Sequence, residues 1–254
     1  SVSTPDAGET FRRELVSKIR GLGAVRARPA LSSGPVSAIA TAQAPVLAGP
    51  PKLRPFPAGL RPRVLCIGSS TGGPQALNVV FAALPAKLGV PILLTQHMPP
   101  TFTQILAKHL GATCNRPSCE AQTGTILEPD HVYVAPGDRH LTFRRDEKGV
   151  VTCVLTQDPP EHFCRPAVDP MFRSAAKAYG KDILGVVLTG MGADGRNGAQ
   201  AIADAGGATI VQDEATSVVW GMPGAVATGG FASGIYPLNS IAGEIRKIFA
   251  GQSS

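Results

Sequence analysis

At 254 residues, with 43% hydrophobic and 17% charged residues, the chain has the composition of a globular protein that can bury one large core. No apolar run approaches the roughly 20 residues that span a bilayer, and the N-terminal residues lack the apolar core of a secretory signal, so we expect neither membrane insertion nor secretion. The net charge of +6 lies mainly in residues 1–60, which hold 8 Lys/Arg and 3 Asp/Glu, and no basic stripe with interleaved aromatic residues occurs, which argues against nucleic-acid binding.

Residues 1–60 are predicted to be separate from the domain that follows at 61–254. Segment 9–23 has apolar residues at helical spacing with charges between them and ends in glycine, which predicts a short amphipathic helix. Its apolar positions are Phe11, Leu15, Ile19 and Leu22. Residues 24–60 are rich in proline and alanine and lack periodicity, so we interpret them as a disordered linker.

Beyond this linker, short apolar runs alternate with helical segments. The runs at 63–68 and 90–96 each precede a helical segment, and so do the runs at 182–190 and 208–214. Because helices join consecutive parallel strands, this alternation predicts an α/β fold with one doubly wound, mostly parallel sheet and helices on both faces. A last amphipathic segment, at 238–250, is expected to be a helix.

The stretch 114–157 has a different texture, with shorter runs that are broken by turn residues. These runs lie at 131–138, 141–149 and 150–158. We interpret them as an antiparallel hairpin insert, followed by a helix at about 166–179.

The cysteines are odd in number and form no C-x-x-C pair: Cys66, Cys114, Cys119, Cys153 and Cys164. This pattern favours reduced, mostly buried thiols in a cytoplasmic protein over a disulfide framework. The ligand spacing of a zinc site is missing as well, so we expect no metal and no cofactor.

The turn "GSSTGG" after the first apolar run has several interpretations. A phosphate-binding loop requires Lys and Ser/Thr after its second glycine, whereas Pro74 and Gln75 follow Gly73. A dinucleotide fingerprint requires glycine where Ser70 stands. The letters of 68–72 do fit G-x-S-x-G, in which a serine hydroxyl is exposed at a tight strand-to-helix turn. The alternative is that these residues only cap the helix that follows.

A serine nucleophile requires a base and an acid, and two residues occupy suitable places. His97 directly follows the run at 90–96, so it should share the carboxyl edge of the sheet with Ser70. Asp194 lies just beyond the run at 182–190, although an Asp-Gly pair commonly forms only a local turn. The chain order Ser, His, Asp differs from the Ser, Asp, His of α/β-hydrolases, so membership of that fold does not follow.

Four other histidines compete for the role of base. His109 lies in a helical pattern and is expected to pack or face solvent, and His131 precedes a strand in a turn. His140 and His162 lie in or beside loops, so they remain alternatives to His97.

Several adjoining motifs identify a family resemblance over about residues 61–250. In order and spacing the chain resembles the catalytic domain of bacterial chemotaxis methylesterases. The motifs that carry the resemblance are "IGSSTGGPQAL", "TQHMPPTFT", "VYVAPGDRHL", "RPAVDPMFRS", "GVVLTGMGADGRNGAQAI" and "IVQDEATSVVWGMPGAV".

The resemblance implies a serine hydrolase that removes methyl groups from glutamyl γ-methyl esters on the cytoplasmic helices of chemoreceptors and deamidates certain glutamines. On the matching positions the nucleophile is Ser70, the base His97 and the acid Asp194. Thr71 and Met191 match neighbours of the site and are the expected oxyanion donors through their backbone N–H groups.

Two positions depart from the family pattern. Ser69 stands where the family commonly has alanine, and Cys164 stands where its loop usually has histidine. We expect Cys164 to change packing or substrate contact rather than the chemistry. Arg165, the next residue, is a candidate substrate contact.

The resemblance also implies a partner domain. The family typically carries a phosphorylatable receiver domain in the same chain, and residues 1–60 are too short to form one. Two other function classes stay open on the residues alone, namely a non-catalytic α/β binding module and a phosphatase- or nucleotide-type enzyme that uses the same turn.

Overall fold

Apolar runs of the sequence form the strands of a parallel sheet. The computed structural model describes residues 50–251, so the helix predicted at 9–23 lies outside the described residues. The strands are β1 (Val64–Ser69), β2 (Ile92–Gln96), β3 (Ser118–Glu120), β4 (Val132–Val134), β5 (His140–Arg145), β6 (Val151–Thr156), β7 (Ile183–Val187), β8 (Ala208–Gln212) and β9 (Gly234–Tyr236). Seven of them form the main sheet in the order β3-β4-β2-β1-β7-β8-β9, and every neighbouring pair is parallel.

Helices cover both faces of this sheet, as the sequence predicted. They are α1 (Gly73–Ala83), α2 (Phe102–Cys114), α3 (Val168–Tyr179), α4 (Arg196–Asp204), α5 (Gly221–Thr228) and α6 (Leu238–Phe249). Side chains alternate along a strand, so in β1 Val64 and Cys66 pack with α3, α4 and α5. Leu65 and Ile67 pack on the other face, with α1, α2 and α6. Strands buried on both faces account for the continuous apolar runs.

The antiparallel insert is confirmed in part. Strands β5 and β6 form a separate two-stranded hairpin, with Thr142 opposite Val154. The run at 131–138 is a correction, because it supplies β4 to the parallel sheet rather than a strand to the hairpin. Three residues are too few for an alternating pattern to reveal which sheet they join, and the same shortness hides β9 in the sequence.

Residues near the start of the described range contact the C-terminal end of α5 and the residues that follow it. The Lys52 N–H donates to the Ala227 carbonyl at 3.1 Å, and the Arg54 N–H donates to the Ala232 carbonyl at 2.8 Å. Leu53 also forms a parallel bridge with Ala232. The part of the predicted linker around these residues therefore packs against the end of α5. None of the helices in the described range has the length and hydropathy to cross a membrane.

The helices α3 and α4 pack through a glycine-lined contact around Phe172. This ring is fully buried, and a Cβ at Gly198 would lie only 2.5 Å from the Phe172 Cβ. Because α3 and α4 are already in close contact here, they cannot move closer together to fill the space that a smaller side chain at position 172 would leave.

Replacing Phe172 with Ala should therefore lower the free energy of unfolding by about 3–5 kcal/mol, since it removes a buried ring and leaves a cavity. Urea unfolding followed by circular dichroism measures this. The matched control is Ile105→Ala on the exposed side of α2, where the change should stay within about 0.5 kcal/mol. Equal losses for the two variants would contradict the packing described.

Candidate active site

Residues at the carboxyl ends of β1, β2 and β7 form the site. The register of the parallel pair places Ser69 beside Gln96, so Ser70 and His97 follow at neighbouring positions. The His97 N–H donates to the Ser69 carbonyl at 3.1 Å and continues the ladder by one residue. The sequence prediction that Ser70 and His97 share one edge of the sheet matches this geometry.

Gln96 braces the turn that carries Ser70. The Ser69 hydroxyl donates to Gln96 Oε1 at 2.7 Å, and Gln96 Nε2 donates to the carbonyls of Ser70 at 2.9 Å and His97 at 3.1 Å. Ser69 and Gln96 are buried, whereas Ser70 is half-buried. Ser69 is thus engaged in holding the two strand ends together, and Ser70 is the serine of this turn that is open to a ligand. Sequence reasoning missed Gln96; its one signal is an amide at the end of a strand that begins with three apolar residues.

The end of β7 supports the same turn from the other side. The Ser70 N–H donates to the Thr189 carbonyl at 3.0 Å. A Cβ at Gly190 would lie 2.9 Å from the Ser70 Cβ, so only glycine allows this approach. Gly72 adopts a φ of 78°, a left-handed conformation that glycine takes without strain. These contacts fix the backbone of the turn before helix α1 begins.

His97 and Asp194 form a hydrogen-bonded pair. His97 Nε2 donates to Asp194 Oδ2 at 2.7 Å, and the Asp194 side chain is only 1% exposed. The same carboxylate accepts the N–H of Val168 at 2.6 Å, of Asp169 at 2.9 Å and of Gly195 at 2.9 Å. Two of these donors belong to the first turn of α3, where the helix dipole favours a negative charge.

The two partners shift each other's pKa. Burial alone raises the pKa of a carboxyl group, but the hydrogen bond and charge of His97 and the N–H groups of Val168 and Asp169 outweigh it, so the pKa of Asp194 is lowered. Burial lowers the pKa of the His97 ring, but the hydrogen bonds to Asp194 and Cys164 and the Asp194 charge raise it more, to about 9. The pair is therefore an imidazolium–carboxylate pair at neutral pH.

Ser70 and His97 are neighbours without a direct bond between their side chains. Within residues 50–251 the Ser70 hydroxyl makes no hydrogen bond to the His97 ring. Catalytic hydrogen bonds of this kind commonly tighten only when a substrate is bound. Because Asp194 occupies Nε2, a hydrogen bond from Ser70 to this ring has to be made at Nδ1.

The expected oxyanion donors have N–H groups that are free to bind a ligand. Neither the Thr71 N–H nor the Met191 N–H donates to an acceptor in the described part of the chain. Thr71 follows Ser70 directly, and Met191 follows Gly190, which contacts Ser70. Both groups thus flank the serine at the start of the helix.

The loop between β6 and α3 borders the pair. Cys164, which departs from the family pattern, is among the groups that raise the pKa of the His97 ring, so this position belongs to the surroundings of the site. The Arg165 guanidinium binds Asp138 at 2.6 Å and also donates to the carbonyls of Gln157 and Asp158 at 3.3 and 3.1 Å. Arg165 therefore holds this loop, and its contact with a substrate stays a prediction.

A second histidine–carboxylate pair, formed by His162 and Asp169, lies next to the His97–Asp194 pair. His162 Nε2 binds Asp169 Oδ2 at 2.9 Å, and Asp169 Oδ1 accepts the Gly198 N–H at 2.6 Å. Burial and the nearby Asp194 charge raise the pKa of Asp169 against the effect of these partners. His162, Asp169 and Asp194 place ligand atoms within 4.8 Å of one another, a spacing suited to a metal ion. Because their oxygens already accept hydrogen bonds, a metal would have to displace these contacts.

The remaining histidines have structural contacts. His140 is buried as the first residue of β5, where its ring meets the Pro159 carbonyl at 3.2 Å and accepts the Ala167 N–H at 3.1 Å. His109 contacts Asn78 at 3.1 Å on the surface. His131 stacks on Tyr133, and burial lowers its pKa. None of these three reaches the site as a rival base.

The five cysteines are free, as predicted. Cys66 and Cys153 are buried, and burial raises the pKa of both thiols. The other three are only half-buried, so the expectation of mostly buried thiols is wrong for them.

Comparisons with known proteins agree on one family. A family model described as CheB methylesterase matches residues 65–245. The protein-glutamate methylesterase/protein-glutamine glutaminase of group 2 operon from Rhodospirillum centenum is 48% identical over 264 residues, which cover 97% of this chain and 66% of that protein. The protein-glutamate methylesterase/protein-glutamine glutaminase of Azospirillum brasilense is 46% identical over 267 residues, which cover 99% and 66%.

A solved structure agrees with the fold as well. The crystal structure of the Thermotoga maritima CheB methylesterase catalytic domain matches with a TM-score of 0.71 at 38% identity and covers 74% of this chain and 100% of that chain. The chain spans 66% of the length of each of the two curated relatives named above.

The hydrogen-bonded pair of His97 and Asp194 predicts that the His97 ring titrates at an unusually high pH. We expect the His97 ring to titrate near pH 9 in NMR spectra, because Asp194 stabilises the imidazolium. In Asp194→Asn the charge is lost and burial of the ring remains, so its pKa should fall well below 9. The control is Glu244→Gln, which removes the carboxylate that pairs with Lys247 on α6 and should leave the His97 titration unchanged. A His97 pKa near 9 in Asp194→Asn would contradict the assignment.

Proposed function

The chain belongs to the CheB methylesterase family, and we propose that it hydrolyses glutamyl γ-methyl esters on the cytoplasmic helices of chemoreceptors and deamidates certain glutamines there. The names of its relatives support this substrate class. The observation that carries the proposal is the buried His97–Asp194 pair, 2.7 Å apart, at a strand end next to that of Ser70. This arrangement suits a nucleophile, a base and an orienting acid.

In the first half of the reaction Ser70 Oγ attacks the γ-carbonyl of the esterified glutamate. Its proton passes to His97 Nδ1, and Asp194 holds the opposite nitrogen and stabilises the imidazolium that forms. The Thr71 and Met191 N–H groups donate to the oxygen that becomes negative. The tetrahedral intermediate then collapses, His97 returns the proton to the leaving oxygen, and methanol departs.

In the second half water hydrolyses the acyl-enzyme. His97 takes a proton from the water as it attacks the acyl carbonyl carbon, and returns that proton to Ser70 Oγ as the intermediate collapses to free Ser70 and a glutamate side chain. When the substrate is glutamine, the leaving group is ammonia instead of methanol. Both routes balance without an external oxidant or reductant.

The Ser69–Gln96 contact supports the choice of Ser70 over Ser69. Ser69 is fully buried, and its hydroxyl donates to Gln96, so nucleophilic attack from that oxygen would require the brace to open. The half-buried Ser70 requires only that its side chain turn toward His97.

The cellular setting follows the same family argument. Chemoreceptor cytoplasmic helices are the proposed partners, the cytoplasm is the proposed location, and adaptation in chemotaxis is the proposed process. A receiver domain in the same polypeptide, as the family typically has, remains a prediction for this protein.

Ser70→Ala should lower methanol release from methylated receptor membranes by at least about 10³-fold, because the acyl-enzyme cannot form. Release of radiolabelled methanol measures this. Ser69→Ala is the matched control: it removes a brace rather than the nucleophile, and should retain most of the release. Full activity in Ser70→Ala would contradict the assignment, and a parent chain that binds receptors yet releases no methanol would favour a binding module.

The raised pKa of His97 predicts a pH dependence. Ser70 can lose its proton only to the neutral imidazole, and the ring is protonated below about pH 9, so kcat/KM should rise with pH between 7 and 9. In Asp194→Asn the pKa of His97 is lower, so this rise should move to lower pH while the maximum rate falls. A kcat/KM that does not change with pH above 7 in the parent chain would contradict His97, with its pKa raised by Asp194, as the catalytic base.

A further inference from the structure

The carbonyl of Ser70 is held by two donors, one from the backbone and one from a side chain. The Gly73 N–H donates to it at 2.8 Å and closes a four-residue turn. Gly72, with φ of 78° and ψ of −5°, has the conformation of the third position of a type II turn. Gln96 Nε2 donates to the same carbonyl at 2.9 Å. Together the two donors fix the direction in which this carbonyl points.

The direction of the Ser70 carbonyl sets the direction of the Thr71 N–H. Both groups belong to one peptide unit, which is planar and trans, so they point in opposite directions. Because the carbonyl points at Gln96 and Gly73, the Thr71 N–H points away from both. This N–H is one of the two expected oxyanion donors. A rotation of the peptide would therefore move the donor away from the position in which it can bind the oxyanion.

The hydrogen-bond network allows the Gln96 amide only one orientation. The carbonyls of Ser70 and His97 are acceptors, so both must face Nε2, and Oε1 then accepts the Ser69 hydroxyl at 2.7 Å. The backbone leaves room for the amide, because a Cβ at Gly73 would overlap Oε1. Gln96 is only 2% exposed, so releasing any of these contacts would leave a buried polar group without a partner. The amide is therefore a rigid support for the turn.

Thr71 is also held from its other side. The Thr189 hydroxyl donates to the Thr71 carbonyl at 2.9 Å, and Thr189 itself is buried. The peptide units before and after Thr71 are thus both fixed by side chains, from β2 through Gln96 and from the residues after β7 through Thr189. Of these two side chains, Gln96 is the one that holds the peptide unit that contains the Thr71 N–H.

The second expected oxyanion donor is oriented by a contact of the same kind. The Met222 N–H donates to the Gly190 carbonyl at 2.9 Å, and the Met191 N–H lies at the opposite end of that peptide unit. This carbonyl is held by a backbone group of α5, whereas the Ser70 carbonyl is held in part by a side chain. A substitution at Gln96 should therefore release the first donor and leave the second in place.

We propose that Gln96 is a positioning residue for the reaction, whose side chain orients the Ser70–Thr71 peptide so that the Thr71 N–H donates to the oxygen of the tetrahedral intermediate. This rests on the proposed function and adds a residue to its machinery. Gln96 acts through the peptide and touches no reacting atom. An oxyanion donor contributes most when charge develops on the oxygen, so loss of Gln96 should slow the chemical step and leave substrate binding unchanged.

The test replaces Gln96 with Met, which keeps the length of the side chain and removes its amide. With methylated receptor membranes as the substrate, kcat should fall about tenfold or more while KM stays near that of the parent. A second measurement uses phenylboronic acid, which forms a tetrahedral adduct with a serine oxygen and so mimics the intermediate. Its affinity, measured by calorimetry, should fall by a similar factor.

Two controls separate this effect from others. The His97 ring should still titrate near pH 9 in Gln96→Met, because its contact with Asp194 is unchanged. Gln200→Met makes the same chemical change at an exposed position of α4, and should leave kcat, KM and the affinity for phenylboronic acid unchanged.

A double variant keeps the test decisive if Gln96→Met is poorly stable. In Gln96→Met the buried Ser69 hydroxyl loses its acceptor, so Ser69→Ala/Gln96→Met should melt at a higher temperature than Gln96→Met. Its kcat should equal that of Gln96→Met, because Ser69 acts on the turn through Gln96. Ser69→Ala alone should retain most of the parent's kcat.

Three outcomes would overturn the proposal. A kcat within about twofold of the parent in folded Gln96→Met would show that the Thr71 N–H is oriented without the amide. A loss confined to KM would assign Gln96 to substrate binding. A lower kcat with unchanged affinity for phenylboronic acid would place the defect outside the oxyanion site. If the parent binds phenylboronic acid but releases no methanol, the proposed function fails, and the change in boronate affinity alone decides the role of Gln96.

Discussion

A buried carboxylate stays charged only when hydrogen bonds replace the water that it has lost, and the site is organised around supplying them to Asp194. Its four donors are the His97 ring and the N–H groups of Val168, Asp169 and Gly195. These donors tie the loop after β7 to the first turn of α3 and to the end of β2. Asp169 in turn accepts a hydrogen bond from the Gly198 N–H and so ties α3 to α4. The helix ends that stabilise Asp194 therefore also set the distance between its loop and His97.

The serine side of the site depends on hydrogen bonds between strand ends. Gln96 joins the Ser69, Ser70 and His97 positions of β1 and β2, and Thr189 at the end of β7 holds the Ser70 N–H. These hydrogen bonds fix the backbone of the turn that carries Ser70.

The sequence was sufficient to predict the strands that are long enough to form an apolar run. Long apolar runs predicted β1, β2, β7 and β8. Because these strands were predicted to be parallel, the residues that follow them, Ser70, His97 and Asp194, were expected at the carboxyl edge of the sheet. The three-residue β4 was assigned to the wrong sheet and β9 was missed, because register between distant strands leaves no periodic trace. The roles of Gln96 and Asp169, and the effect of Cys164 on the pKa of His97, arise from tertiary contacts between segments that the sequence separates. Family resemblance supplied the substrate class, which no spacing of residues encodes.

The structure of the chain after reaction with a fluorophosphonate would show which residue is the nucleophile and how the site holds the adduct. We expect a phosphonate on Ser70 Oγ, with its oxygen bound by the Thr71 and Met191 N–H groups. We also expect that His97 Nδ1 faces the adduct while Nε2 stays on Asp194. An adduct on Ser69 or Cys164 would contradict Ser70 as the nucleophile, and a His97 ring that leaves Asp194 to present Nε2 would contradict the proposed role of Nδ1.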